Sequence, residues 1–103
     1  MNDPTICEAK LHEIAALCRN RLDMSYYKYG AARDNFGAGR VDAAGCIDLC
    51  MDKFRKTRNT EYLLDVINYA ALRILYPWPG DYFRPTGSDE SAGTDGMPIN
   101  MER

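Results

Sequence analysis

The chain has 103 residues, of which 46% are hydrophobic and 27% are charged, and its net charge at pH 7 is −2. This composition predicts one small globular domain and excludes a disordered chain. A nearly balanced charge gives no global attraction to nucleic acid or to anionic membranes, and no apolar run approaches the roughly 18–20 residues that a bilayer span requires.

The N-terminal part of the chain has the signals of an amphipathic helix. Asp3 is a suitable N-cap residue and Pro4 suits the first helical position. Apolar residues then recur at steps of three and four, which predicts one narrow buried seam along the helix. The seam consists of Cys7, Leu11, Ile14, Cys18 and Leu22.

An aromatic and basic segment, Tyr26 to Tyr29, follows and ends at Gly30, a natural helix C-cap. The rings of Tyr26, Tyr27 and Tyr29 could stack on a base or sugar while the ammonium of Lys28 meets a phosphate, and of the three Tyr27 is assigned to ligand binding. The alternative is that the tyrosines pack on neighbouring helices with their hydroxyls at the surface. Both interpretations stay open.

We expect a loop from residue 31 to residue 39, and it ends in the glycine-rich segment Gly37 to Arg40. A glycine-rich loop that opens a helix can present backbone N–H groups to an anion, so Arg40 joins the candidate ligand-binding residues. The segment lacks the lysine and the spacing of a P-loop, and it follows no predicted strand.

The next predicted helix runs from Val41 to Phe54, with Ala44, Ile47, Met51 and Phe54 on its buried face. On another side, Asp48 and Asp52 stand one turn apart; they could join a metal site, but a solvated face is the simpler interpretation.

A basic segment follows the helix. Lys56 and Arg58 in it would lie near the N-terminus of the third helix and could attract an anion there, or they could neutralise the C-terminal end of the second helix.

The third predicted helix, residues 59–76, has both a start signal and a stop signal. Asn59 or Thr60 can cap it, and Pro77 ends it. Its apolar positions recur with helical periodicity and predict a buried side. They are Leu63, Leu64, Ile67, Ala70, Ala71, Ile74 and Leu75.

On the remaining side of this helix, Glu61, Asp65 and Asn68 form one polar stripe. The three residues are candidates for the polar edge of a ligand site, and Glu61 with Asp65 could bind a metal ion such as Mg²⁺. The alternative is a helix cap and a solvated surface.

After Pro77 the sequence becomes rich in turn residues, so we predict a helical domain over residues 1–77 and an arm over residues 78–103 that is extended or partly disordered. Trp78, Tyr82 and Phe83 are expected to anchor this arm on its own helices or on a neighbouring subunit. The predicted fold is all-α: a small antiparallel bundle of about three helices with an irregular C-terminal arm. Because three short helices provide little core, we expect a homo-oligomer.

Four cysteines, Cys7, Cys18, Cys46 and Cys50, lack the two-residue spacing of a zinc knuckle or a redox motif. They are interpreted as buried thiols; a zinc site that includes His12 and a disulfide framework are the alternatives. The N-terminus lacks the basic and apolar regions of a signal peptide, and the expected location is cytoplasmic.

The order of these motifs resembles a group of small phage and bacterial proteins. Those proteins carry a Lys-Tyr-Gly element, here residues 28–30, and then a helix with the pattern Thr-x-Asn-x-Glu-x-Leu-x-Asp-x-x-Asn-Tyr, here residues 57–69. The same order is similar, more distantly, to all-α nucleotide pyrophosphohydrolases of the MazG type. The resemblance covers roughly residues 26–77 and implies an all-helical, oligomeric scaffold for a nucleotide site.

Within this resemblance, Glu61 and Asp65 match acidic positions and Lys28 matches the lysine before the glycine. The pyrophosphohydrolases hold Mg²⁺ between two acidic pairs on two helices. Asp48 and Asp52 do not have the Glu-x-x-Glu spacing of the second pair, so no catalytic residue is assigned and binding is favoured over hydrolysis.

The expected function is binding of a phosphorylated nucleotide or nucleotide signal by Tyr27, Lys28, Arg40, Lys56, Arg58, Glu61, Asp65 and Asn68. One alternative is a protein-interaction module, such as a phage inhibitor of a host defence complex, and the host protein is then its partner. The other alternative is a Mg²⁺-dependent pyrophosphohydrolase.

Overall fold

A computed structural model of the chain describes residues 5–85, which form four α-helices and contain no strand. Helix α1 spans Glu8–Tyr29, α2 spans Ala32–Asn35, α3 spans Ala43–Thr57 and α4 spans Glu61–Leu75. The predicted all-α class is therefore confirmed. Helix α2 is a single turn inside the segment that was expected to be a loop.

Helices α3 and α4 form a hairpin whose boundaries are set by local caps. Asp42 precedes α3, and its carboxylate accepts a hydrogen bond from the N–H of Ala44 at 3.1 Å. At the other end, Arg58 adopts a left-handed conformation with a φ of 63°, and the chain turns there. Thr60 occupies the N-cap position of α4 without a side-chain bond, and the side-chain oxygen of Asn59 before it accepts the N–H of Glu61 at 3.0 Å.

Helix α1 has 22 residues and ends as predicted at Gly30. The N–H of Gly30 donates to the carbonyl of Tyr26 at 2.9 Å, and its φ of 83° is a conformation that glycine adopts without strain. The described helix begins at Glu8 with Cys7 in the N-cap position. The predicted cap, Asp3 with Pro4, lies outside the described residues.

Few side chains are buried within the described part of the chain. They are Cys18 of α1, Ala43 of α3, and Asn68 and Leu72 of α4. The predicted buried seam of α1 is wrong except at Cys18, because no helix within residues 5–85 covers the first half of α1 and Leu22 in the second half is 36% exposed. Cys7 is exposed, Cys46 and Cys50 are half-buried, and all four thiols are free.

The two long sides of α4 differ from the expectation. The polar stripe with Asp65 and Asn68 packs against α1, whereas Ile67, Ile74 and Leu75 of the predicted buried side are exposed. The reason is the position of α1, which lies on the polar side of α4. The apolar side of α4 is therefore only partly covered, by α3.

The segment after α4 is held by Arg73. Its guanidinium binds the carboxylate of Asp81 at 2.5 Å, binds that of Asp42 at 3.1 Å, and lies 4.5 Å from the centre of the Trp78 ring. Of the three predicted anchors only Trp78 packs on the helices, because Tyr82 and Phe83 are exposed. The predictions for residues 86–103 lie outside the described residues.

Candidate functional site

The acidic residues of the predicted site are bound by an arginine of α1. The guanidinium of Arg21 donates to both carboxylate oxygens of Asp65, at 2.5 and 2.9 Å, and also to Glu61. The hydrogen bond with Asp65 is the main cause that raises the pKa of Arg21, and partial burial opposes it. A two-point contact of this kind is among the stronger ion pairs in proteins. It fixes α1 on the first turns of α4.

Asn68, the third residue of the stripe, is buried one turn further along α4. Its side-chain amide donates to the carbonyl of Cys18 at 2.9 Å. A buried amide without a partner would cost free energy, so this bond fixes the position of α1 as well as satisfying Asn68. Arg21 and Asn68 together make a polar seam between α1 and α4.

Beside this seam lies an open groove with a volume of about 640 Å³. Its walls are the second half of α1, the short helix α2 and the polar side of α4. The lining is mainly aromatic and aliphatic, and it also includes polar side chains. Ring-bearing residues of the lining are Tyr26, Tyr29, Phe36, Tyr69 and Tyr76; the polar ones include Arg19, Arg21, Asn35, Asp65 and Asn68.

The aromatic part of the groove is built from separate elements. Tyr26 and Tyr29 stand on the last turns of α1 with exposed rings, while Phe36 follows α2 and packs on Tyr69 of α4 with ring centres 6.0 Å apart. Asn35 fixes the connection between the elements, because its amide donates to the carbonyl of Tyr29 at 2.9 Å. Rings from three elements thus face one space.

Tyr69 is the most strongly perturbed titratable group in this part of the chain. Burial raises its pKa to about 12, with smaller contributions from Cys46, Cys50 and Asp65. Burial also raises the pKa of both thiols. The phenol and the thiols are therefore neutral at pH 7, and none of them has the lowered pKa of an activated nucleophile.

Of the predicted ligand-binding residues, Asp65 and Asn68 line the groove, and Glu61 joins them through Arg21. Tyr27 is 92% exposed and stacks on Tyr26 outside the groove, with ring centres 6.1 Å apart. Lys28 follows it at the end of α1 and is also outside the lining. The roles of these residues in binding stay predictions.

The other predicted cations stand apart from the groove. Arg58 lies 5.9 Å from the centre of the Phe54 ring at the connection between α3 and α4, and Lys56 ends α3 beside it. Arg40 follows the glycine-rich turn. Within residues 5–85, no ion pair joins Lys28, Arg40, Lys56 or Arg58 to a carboxylate.

The glycine-rich turn does not present its N–H groups to a ligand, which corrects the interpretation of Gly37 to Arg40 as an anion loop. The N–H groups of Arg40 and Val41 both donate to the carbonyl of Asn35, at 2.9 and 3.2 Å, and that of Gly39 donates to Phe36 at 3.2 Å. Asp42, not this turn, caps α3.

The described part of the chain contains no group of three or more His, Cys, Asp and Glu side chains that could hold a metal ion. Glu61 and Asp65 are a pair on their own, and Arg21 occupies both carboxylates. Asp52 is paired with Arg55 at 3.5 Å on the surface of α3. A metal ion at the predicted site would have to displace the guanidinium of Arg21.

Sequence reasoning missed Arg21 and Phe36, and among the tyrosines considered for stacking it assigned Tyr27 to the site rather than Tyr26 and Tyr29. A signal for Arg21 was present, because this residue falls within the apolar seam of α1, between Cys18 and Leu22. A charge in an apolar seam needs an opposite charge on the helix that covers it. The stripe of Glu61 and Asp65 was the available partner.

No protein-family model, curated protein or solved structure matches the chain. The resemblance to the phage proteins and to the pyrophosphohydrolases therefore stays a prediction. Within residues 5–85, no helix is both long and apolar enough to cross a membrane.

Proposed function

We propose that the chain binds a phosphorylated nucleotide or a nucleotide-derived signal in the groove between α1, α2 and α4. The observation that carries the proposal is the groove itself, whose 640 Å³ lie within the roughly 300–1,000 Å³ of small-molecule sites. Its aromatic lining suits a base, since every base has a face on which a ring can stack.

The charges around the groove are compatible with an anionic ligand. Asp65 lines the groove, but its charge is compensated by the two-point contact with Arg21. Arg19 also lines the groove; its one ion pair within residues 5–85 is an exposed pair at 3.4 Å with Asp23, which lines the groove too. Such a surface pair is weak, so a phosphate can recruit Arg19 at little cost.

The state of the acidic pair supports binding rather than hydrolysis. A Mg²⁺-dependent hydrolase needs free carboxylates to hold the ion against the substrate phosphates. Glu61 and Asp65 are both engaged by Arg21. The ligand would then be sequestered unchanged, and hydrolysis is the weaker alternative.

Titration calorimetry tests the proposal directly. Nucleoside mono-, di- and triphosphates and cyclic dinucleotides are added to the chain with and without Mg²⁺, and released phosphate and pyrophosphate are measured in parallel. We expect binding of at least one nucleotide class without release. Release that depends on Mg²⁺, and that is abolished by Glu61→Gln with Asp65→Asn, would identify a hydrolase instead.

Two neighbouring tyrosine variants locate the site. Tyr26→Ala with Tyr29→Ala removes two rings from the groove, and affinity should fall at least about tenfold, because a stacked base contributes about 1–3 kcal/mol. The matched control is Tyr27→Ala, on the same turns of α1 but outside the lining. If only the control weakens binding, the ligand lies on the outer face with Tyr27 and Lys28, as the sequence pattern predicted.

A protein-interaction module is the second candidate, and it rests on the exposed rings of the arm. Tyr82 and Phe83 follow a segment that Arg73 fixes, so a partner such as a host protein would meet two aromatic side chains in a defined place. Absence of binding in every nucleotide titration, together with loss of a host complex on Tyr82→Ala and Phe83→Ala, would favour this function.

Self-association accompanies either function. Within the described part of the chain only four residues are buried. A chain with so small a core gains stability by burying more apolar surface against another subunit. Light scattering of the intact chain tests for the homo-oligomer.

A further inference from the structure

The chain carries two apolar surfaces on different helices that nothing in the described part of the chain covers. On the first half of α1, Leu11 and Ile14 are 52% and 41% exposed, and Leu17 stands beside them. On the outer side of α4, Ile67 and Ile74 are 48% and 76% exposed. Neither surface belongs to the proposed groove.

The α1 surface continues a face that is already used for packing. Ile14 lies one turn before Cys18, on the same side of the helix, and Cys18 is buried against α4. Towards its N-terminus the helix extends past this contact. Its polar side chains there pair within α1, as Lys10 does with Glu13 at 3.4 Å.

The α4 surface carries no charged side chain. The charged residues of α4 are Glu61, Asp65 and Arg73, and all three are held in ion pairs inside the chain. A charged partner would find nothing there to pair with. The chemistry that fits this side of α4 is an apolar helix face of similar length.

We infer that the first half of α1 packs on the outer side of α4 of a second copy, and that the contact is reciprocal. In a twofold-symmetric dimer, the α1 surface of each copy can pack on the α4 surface of the other copy. The contact then occurs twice, and one arrangement covers both apolar surfaces of each chain. Standard interfaces bury about 800 Å² per partner and have an apolar centre. The large side chains of these two surfaces would supply the apolar centre. The inference does not depend on nucleotide binding.

Charge-introducing variants test whether both surfaces are needed. Leu11→Glu and Ile74→Glu should each convert the dimer to a monomer in light scattering at micromolar concentration, because each places a charge in one half of the interface. Leu49→Glu, at an equally exposed position on α3, is the control and should stay dimeric. Since all three positions are exposed, circular dichroism should show an unchanged helix content.

Photo-crosslinking identifies the occupant. A benzoylphenylalanine at position 14 is irradiated in a mixture of isotopically light and heavy chains, and the linked peptides are sequenced by mass spectrometry. The expected product joins position 14 of one copy to residues 67–75 of the other, and the same group at position 16, on the opposite side of α1, gives none. A monomeric wild type, a dimer that survives both glutamate variants, or a product that joins α1 to α1 would overturn the inference.

Discussion

The polar side of α4 is covered by another helix of the chain, whereas much of its apolar side is exposed, which is the reverse of the usual arrangement. The side that packs against α1 presents Glu61, Asp65 and Asn68, whereas the other side presents Ile67 and Ile74 to the surface. Within one chain, α1 is therefore positioned by hydrogen bonds and ion pairs as well as by the buried Cys18 and Leu72. Such contacts fix geometry, and the apolar side of α4 stays available for a contact outside the chain.

The largest effect should come from the one large apolar side chain buried on the α1 side of α4. Leu72→Ala should lower the free energy of unfolding by about 2–4 kcal/mol, because it removes buried surface and leaves a cavity. Ile74→Ala on the same helix should change the stability of the monomer by about 0.5 kcal/mol or less. Urea titration of both variants under monomeric conditions makes the comparison, and equal losses would refute the assignment of the two sides.

The next effect concerns the buried amide. Asn68→Ala removes the side-chain donor that holds the carbonyl of Cys18 in addition to its helical bond, and should cost about 1–2 kcal/mol. Asn20→Ala, at an exposed position of α1, is the matched control and should be nearly neutral. A cost for Asn68→Ala no larger than that for Asn20→Ala would mean that the bond does not hold α1 in solution.

A third test moves to the end of α4, where Arg73 holds the following segment. Trp78 is the only tryptophan of the chain, so its fluorescence reports this contact alone. Arg73→Gln should shift the emission to the red, because the ring loses the guanidinium that covers it. Arg55→Gln, in an exposed pair on α3, should leave the emission spectrum unchanged. An equal red shift in this variant would show that the effect is not specific to the contact between Arg73 and Trp78.

The last effect, which is absent at neutral pH, is a pH dependence from Tyr69. Its pKa of about 12 in the folded chain lies above the value near 10 of an unfolded tyrosine. The unfolded state therefore loses this proton first, and the stabilisation, complete below about pH 10, declines as the pH rises towards 12.

Tyr69→Phe should flatten the decline of stability between about pH 10 and about pH 11.5, measured as the denaturant midpoint. The thiols of Cys46 and Cys50, whose pKa values burial also raises, act in the same direction and remain in the variant. The difference between the two proteins thus reports the phenol together with its hydrogen bond to Cys46. Identical pH profiles would show that Tyr69 ionises freely in the folded chain.

The helix boundaries could be predicted because their causes are local. Gly30 after α1, Asn59 before α4 and Pro77 beyond it act on the backbone within a few residues of themselves. The short helix α2 was missed because one turn has too few residues to show a period.

The side of α4 that meets α1 could not be predicted in the same way. Periodicity says that one side of a helix is apolar, but which helix covers which side depends on how the chain crosses itself. Arg21 and Asp65 are 44 residues apart, and their contact exists only once α1 lies across α4. The groove has the same origin, since its rings come from α1, the end of α2 and α4.

The strength of the pairing between Arg21 and Asp65 decides whether the acidic pair is a structural contact or a site that is free to bind a metal or ligand. A double-mutant cycle with Arg21→Ala and Asp65→Ala measures it as the coupling between the two changes in the free energy of unfolding. We expect a coupling of about 1–2 kcal/mol, because each single variant removes the same charge-assisted bonds. Additive effects, with a coupling below about 0.3 kcal/mol, would show that Arg21 does not hold the acidic pair and would contradict the proposed construction of the groove.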